Sequence, residues 1–148
     1  MQFDPITRGT RFFSAASFLF GSSETEQMLD ALPFRAALVD ASGRVGLVNA
    51  VWRSVANGRD LFAENLRRGL NYLDLCDSQP GVNATAAWTI ANGLRAVLDG
   101  TSQTFETQYT WHFADVPQNF KCMITPVGHD GGTPPRGAMI MHVEMTAV

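Results

Sequence analysis

The stretch Ala36-Ala37-Leu38-Val39-Asp40-Ala41-Ser42-Gly43-Arg44-Val45-Gly46-Leu47-Val48-Asn49 decides how the rest of the chain is read. Two apolar runs, 36–39 and 45–48, flank five residues rich in turn formers. Short runs of aliphatic residues bounded by such a segment read as two strands of a hairpin, with Gly43 available for positive φ. Asn49 follows the second strand, placed to cap a short helix from Ala50 to about Ala56.

Upstream of the hairpin, Ser23-Glu24-Thr25-Glu26 has the form of a capping box: Ser23 can accept from the Glu26 N–H while the Glu26 side chain reaches back. Met28, Leu29 and Leu32 then make an apolar stripe that Pro33 stops. Residues 1–22 read as an N-terminal extension. If this segment is helical, Phe12, Ala16, Leu19 and Phe20 share one side. Its apolar part, Phe12 to Phe20, contains Ser14 and Ser17 and is too short to cross a bilayer. Arg8 and Arg11 mimic the start of a signal peptide, but no convincing cleavage site follows. A cytoplasmic protein is the expectation.

Downstream, residues 57–82 are broken by Gly58, Gly69, Pro80 and Gly81 and read as short helical turns. Residues 84–98 carry the clearest helix, with Ala87, Ile90, Ala91, Leu94, Val97 and Leu98 at helical spacing. Asn83 is placed to cap its start, and Asp99-Gly100 to end it. Gly93 inside costs about 1 kcal/mol relative to alanine, which close packing against a sheet could offset. Three strands complete the chain. Phe105, Thr107, Tyr109 and Trp111 alternate with polar residues; so do Phe120, Cys122 and Ile124 with Lys121, Met123 and Thr125, where Pro126 closes the strand. The Gly-Pro-rich loop 128–135 leads to a last strand, Ala138–Thr146.

Composition fits one folded domain. The chain has 148 residues, 45% hydrophobic and 17% charged, with a net charge of −3. That charge, with scattered basic residues, gives no electrostatic reason to expect nucleic acid. The two cysteines, Cys76 and Cys122, form no zinc spacing and suit a reducing compartment. The catalytic motifs Gly-x-Ser-x-Gly, P-loop and His-Glu-x-x-His do not occur.

Read in order, helix, hairpin, short helices, long helix and three strands, the chain resembles the PAS family. Leu38-Val39-Asp40, Ser42-Gly43-Arg44 and Val48-Asn49-Ala50-Val51-Trp52 look like the opening PAS hairpin and its asparagine cap. Gly69-Leu70-Asn71-Tyr72-Leu73 resembles the Gly-x-Asn-Tyr-Leu segment of a bacterial PAS subgroup. Ile90 to Gly100 matches that subgroup's Ile-x-x-Gly-x-x-x-Val-Leu-x-Gly helix. Phe105, Tyr109 and His112 match its third strand, although Thr110 and Trp111 replace its usual proline and cysteine. Val143-Glu144-Met145-Thr146 stands where that family ends in Asp-Ile-Thr.

The resemblance implies an α+β fold over residues 23–148: a five-stranded antiparallel sheet with helices on its concave side. It implies sensing or dimerisation, with a signalling partner or a linked output domain outside this chain, which stops where such a domain would follow. It also bears on cofactors. Photoactive relatives have cysteine where this chain has Tyr72, so a cysteinyl–flavin adduct is chemically impossible there. Phe120 stands where they present a polar flavin-binding side chain, and His142 where they have glutamine. Haem-binding relatives hold iron by a histidine on the long helix, and residues 84–98 contain none. No cofactor and a colourless protein are the expectation. A small α+β pocket enzyme of the cone-shaped isomerase or dehydratase type is the alternative.

By the same resemblance Phe105, Tyr109, Phe120, Cys122, Ile124, Ile140 and His142 line the cavity. They would take a small, largely apolar ligand or simply fill the space themselves. His129 reads as a solvated loop residue, and His112 as a strand-end residue. His142 reads either as a satisfied interior histidine or as a ligand contact. If Ala138, Ile140 and His142 face inward, alternation turns Met139, Met141, Val143 and Met145 outward, with Met123 beside them. That apolar outer face, with Met28 and the aromatic residues Phe12, Phe13, Phe18 and Phe20, points to a homodimer. A monomer in which the N-terminal pieces fold back is the other outcome.

Overall fold

The structure, a computed structural model, describes residues 23–55, 69–113, 116–128 and 134–145. Residues 1–22, including the four phenylalanines placed at the dimer interface, lie outside the described residues. Helix α1 (Ser23–Asp30) leads into strands β1 (Arg35–Asp40) and β2 (Val45–Val48), then helix α2 (Ala50–Val55). Helix α3 (Tyr72–Asp77) and a 3-10 turn (Gly81–Asn83) precede α4 (Ala84–Leu98). Strands β3 (Phe105–Phe113), β4 (Val116–Val127) and β5 (Gly137–Glu144) follow. All neighbouring strands are antiparallel, in the order β2-β1-β5-β4-β3.

Each hairpin feature has a local cause. The Asp40 carboxylate accepts from Ser42 N (2.9 Å), Ser42 Oγ (2.8 Å) and Arg44 N (3.0 Å), which folds the turn. Gly43 sits there at φ 92°, a conformation that favours glycine. Asn49 caps α2 as expected, accepting from Trp52 N at 3.2 Å, and does considerably more. Its Oδ1 also accepts from Ala36 N (3.0 Å), and its Nδ2 donates to the carbonyls of Leu29 (3.0 Å) and Phe34 (2.8 Å). One buried amide thus joins α1, β1 and α2.

The sheet separates two cores. On its inner face Ala37, Val39, Ile124, Ile140 and Phe120 pack with Trp52, Tyr72 and the buried stripe of α4. On its outer face Leu29 of α1 covers Ala36, Leu38 and Leu47, with Met139 and Met141 partly buried beside them. Helix α4 lies across β3, β4 and β5, and Gly93 allows it to do so: a Cβ there would overlap the Phe105 ring.

Three local expectations change. The side chain of Asn83 does not cap α4; it bridges the backbone of His112 instead, donating to O (3.0 Å) and accepting from N (2.8 Å). Pro126 does not close β4 but pairs with Ala138 inside the ladder, and β4 begins four residues earlier than the alternation suggested. Helix α1 ends at Asp30, ahead of Pro33, and Asp30 then accepts from Ala50 N (2.8 Å) at the start of α2.

Candidate functional site

A polar cluster walled by aromatic rings lies on the inner face. His142 of β5 is buried, with Nε2 2.8 Å from the Tyr72 hydroxyl and Nδ1 2.6 Å from the Tyr109 hydroxyl. Tyr72 is the first residue of α3. Its position is set by Asn71, whose Oδ1 caps the helix at Leu73 N (2.9 Å) and Asp74 N (3.2 Å) while Nδ2 donates to Ser42 O (3.0 Å) on the hairpin turn. Tyr109 comes from β3 and stacks on Phe120, centroids 5.4 Å apart. Trp52 of α2 stands edge-on to the imidazole at 5.3 Å and to the Tyr72 ring at 6.4 Å. Arg35 of β1 is directly opposite His142 on β5, its guanidinium 5.1 Å from the Phe120 ring centre.

Burial, with the Arg35 charge adding to it, lowers the His142 pKa from 6.5 to about 3, so the imidazole is neutral. A neutral imidazole has one donor and one acceptor nitrogen, so one tyrosine donates to it and the other accepts from it.

Burial raises Tyr72 well above its ordinary pKa, reinforced by Cys76, Cys122 and Tyr109. Burial also pushes the Cys76 thiol up to about 12, with Asp77 adding, and raises Cys122 further. These side chains are therefore uncharged near neutral pH, and the thiols are poor nucleophiles.

Trp52 departs from this saturation. It is 1% exposed, yet its indole N–H finds no acceptor among the described residues. An indole N–H can only donate, and a buried donor without a partner costs about 1–3 kcal/mol.

The seven residues read as cavity-lining share the inner face. Register pairs Phe105 with Ile124, Tyr109 with Phe120, Cys122 with His142, and Ile124 with Ile140. Phe120, Cys122, Ile124 and Ile140 are buried, whereas Phe105 and Tyr109 are partly buried. Both nitrogens of His142 find partners within the chain. Trp52, Arg35 and Tyr72 were not placed in this cluster from the sequence, Tyr72 being read only as the residue blocking an adduct. Trp52 lies three residues after a capping asparagine and Tyr72 directly after one; those caps are the signals that locate them. On the outer face Met123, Met139, Met141 and Val143 are half-buried, and Met28 is 71% exposed.

A separate groove of about 340 Å³ lies between α3 and α4, with Cys76, Asp77 and Trp88 among its walls. Among the described residues, no three or more His, Cys, Asp or Glu side chains are placed to hold a metal ion. No helix there is long and apolar enough to cross a membrane.

Comparison with known proteins supports the fold. No family model matches the sequence. An uncharacterised 104.1 kDa protein in the hypE 3′ region of Rhodobacter capsulatus is 28% identical over 123 residues. The match takes in 82% of this chain and 12% of that protein, so the chain spans about an eighth of its relative. Among solved structures, the PAS domain of Bordetella pertussis BvgS is similar with a TM-score of 0.61 at 12% identity, covering 84% of this chain and 85% of that one. The Rhodobacter sphaeroides LOV protein gives 0.54 at 18% identity, over 92% and 68%. VqmA bound to DPO gives 0.55 at 15% identity, over 86% and 60%. With the strand order above, these similarities show that the chain has the PAS fold.

Proposed function

We propose that the chain is a sensory, signal-transducing module that reads a small, largely apolar molecule at the inner face. The observation that carries this reading is the Trp52 indole N–H, buried without an acceptor beside the aromatic walls of the His142 cluster. Ordinary small-molecule sites combine apolar walls with a few polar groups that fix orientation. Here His142, Tyr72 and Tyr109 satisfy one another. The ligand contact therefore moves from His142 to Trp52, and the ligand's distinguishing group is one neutral hydrogen-bond acceptor.

The output side of the same reading is the outer face. Helix α1 covers β1, and Met123 and Val143 extend an apolar strip beyond it. Self-association through Met123, Met139, Met141 and Val143 would let a change in the sheet reach a partner or a linked domain. VqmA, a structural neighbour, is described both as a dimer and as bound to DPO; the PAS domain of BvgS has the same fold. A cytoplasmic setting is part of this proposal.

Native mass spectrometry on protein purified from its own host tests the reading. The expected spectrum contains a non-covalent adduct of small-molecule mass, removed by Trp52→Phe. A bare polypeptide mass for the unsubstituted protein, unchanged by incubation with host extract, would count against ligand sensing.

A further inference from the structure

The two edges of the sheet differ. At the β2 edge, Val45 N donates to Leu70 O (2.8 Å) and Gly69 N to Val45 O (2.7 Å), so the chain covers that edge itself. At the β3 edge, among the described residues, a single position is covered. His112 N donates to Asn83 Oδ1 and His112 O accepts from Asn83 Nδ2, so a side-chain amide takes the place of a neighbouring strand.

Those two bonds fix the direction of every peptide group along β3. The backbone groups of His112 point away from β4, where the residue opposite is Pro117, which has no N–H. Pairing with β4 runs from Phe105 to Phe113 without a register shift. Since the groups alternate along an antiparallel strand, those of Thr110, Gln108 and Glu106 also point outward. All three residues are exposed. Open strand edges of this kind are templates for pairing, which proteins ordinarily cover or interrupt.

We infer that the β3 edge pairs with the β3 edge of a second copy, antiparallel about a two-fold axis at Gln108. The register follows by elimination. The axis can pass through an outward-facing position or through an inward-facing one between two outward-facing pairs; an axis at Tyr109 would set Glu106 opposite His112, and one at Thr107 would leave Thr110 opposite Thr104, outside β3. An axis at Thr110 would set Gln108 of one copy opposite His112 of the other, which Asn83 already occupies. An axis at Glu106 would leave Thr110 opposite Ser102, outside β3, and therefore unpaired, and would bring together two carboxylates each offset only by its own Lys121. An axis at Gln108 uses all three open positions, sets Glu106 against Thr110, pairs the two Gln108 amides, and stops short of Asn83. The product is a continuous ten-strand sheet. It leaves the outer face clear, so a contact there would extend the assembly beyond two copies.

Site-specific cross-linking of the intact chain tests this, using a bifunctional thiol reagent spanning under about 8 Å. In the inferred register the two copies of position 108 lie about 5.5 Å apart between Cα atoms, whereas the two copies of position 106 lie about 14 Å apart, four residues along the strand. The two native cysteines are buried. Gln108→Cys is expected to give a covalent dimer, with Glu106→Cys and the parent chain remaining monomeric on denaturing gels. Equal cross-linking at 106 and 108, or none at 108, would overturn the inference. Sedimentation provides an independent reading: Gln108→Pro is expected to weaken self-association at least tenfold. If proline unfolds the chain, Thr110→Glu should weaken association and Thr110→Lys should not, because each stands opposite Glu106. Identical self-association in both would count against the edge contact.

Discussion

Asn49 and His142 are both buried and polar, and both are fully used. Asn49 makes four bonds, to α1, the connection after it, β1 and α2, which a hydrophobic residue of the same size could not replace without stranding Ala36 N–H and two carbonyls. His142 is held between two tyrosines as a neutral ring, and its protonation is linked to folding. The folded protein keeps the imidazole neutral down to about pH 3, while the unfolded chain takes up a proton near pH 6.5. The folded state is thus at full strength above about pH 6.5 and loses stability as pH falls from there toward 3. The steepest slope is about 1.4 kcal/mol per pH unit. Denaturant titrations across that window should show the slope in the unsubstituted protein and lose its histidine component in His142→Gln. A slope unchanged by the substitution would mean that His142 is protonated in the fold. The sequence marked both residues, but for Asn49 only the cap was legible. The other three bonds join segments 13 to 20 residues apart, which no local pattern encodes.

Among the elements, α4 and the hairpin were legible because their signals are local: an apolar stripe at helical spacing and a glycine turn between aliphatic runs. Asn83 and Pro126 were misread for a common reason. Each has a strong local preference that a tertiary partner overrides, the His112 backbone in one case and the β5 ladder in the other. Gly93 is an opposite case, where a locally unfavourable residue is explained by a distant one. Alanine would favour the helix by about 1 kcal/mol, but its methyl group would overlap the Phe105 ring, and overpacking costs about 1–3 kcal/mol. Gly93→Ala should therefore lower the melting temperature, and Phe105→Leu in the same chain should recover part of the loss. A melting temperature raised by Gly93→Ala alone would show that the ring yields freely and that α4 is not held at this distance by Phe105.

At the scale of the whole molecule, the sheet divides two tasks: an inner face that encloses the His142 cluster and an outer face that α1 covers in part. The order of elements gave access to this division, since alternation along β5 separates Ile140 and His142 from Met139 and Met141. The site itself was only half legible. Its strand residues follow from alternation, but Trp52 and Tyr72 arrive from helices whose approach depends on two capping asparagines and on the packing of α3 against α4. In the function proposed above, the Trp52 indole N–H takes its acceptor from a small molecule. Its proton–nitrogen NMR resonance, identified by its loss in Trp52→Phe, reports on that bond directly. In protein refolded free of small molecules, addition of a host extract should move this resonance downfield to a new, saturable position. A resonance that stays in place through the titration, with the protein folded throughout, would contradict ligand sensing through Trp52.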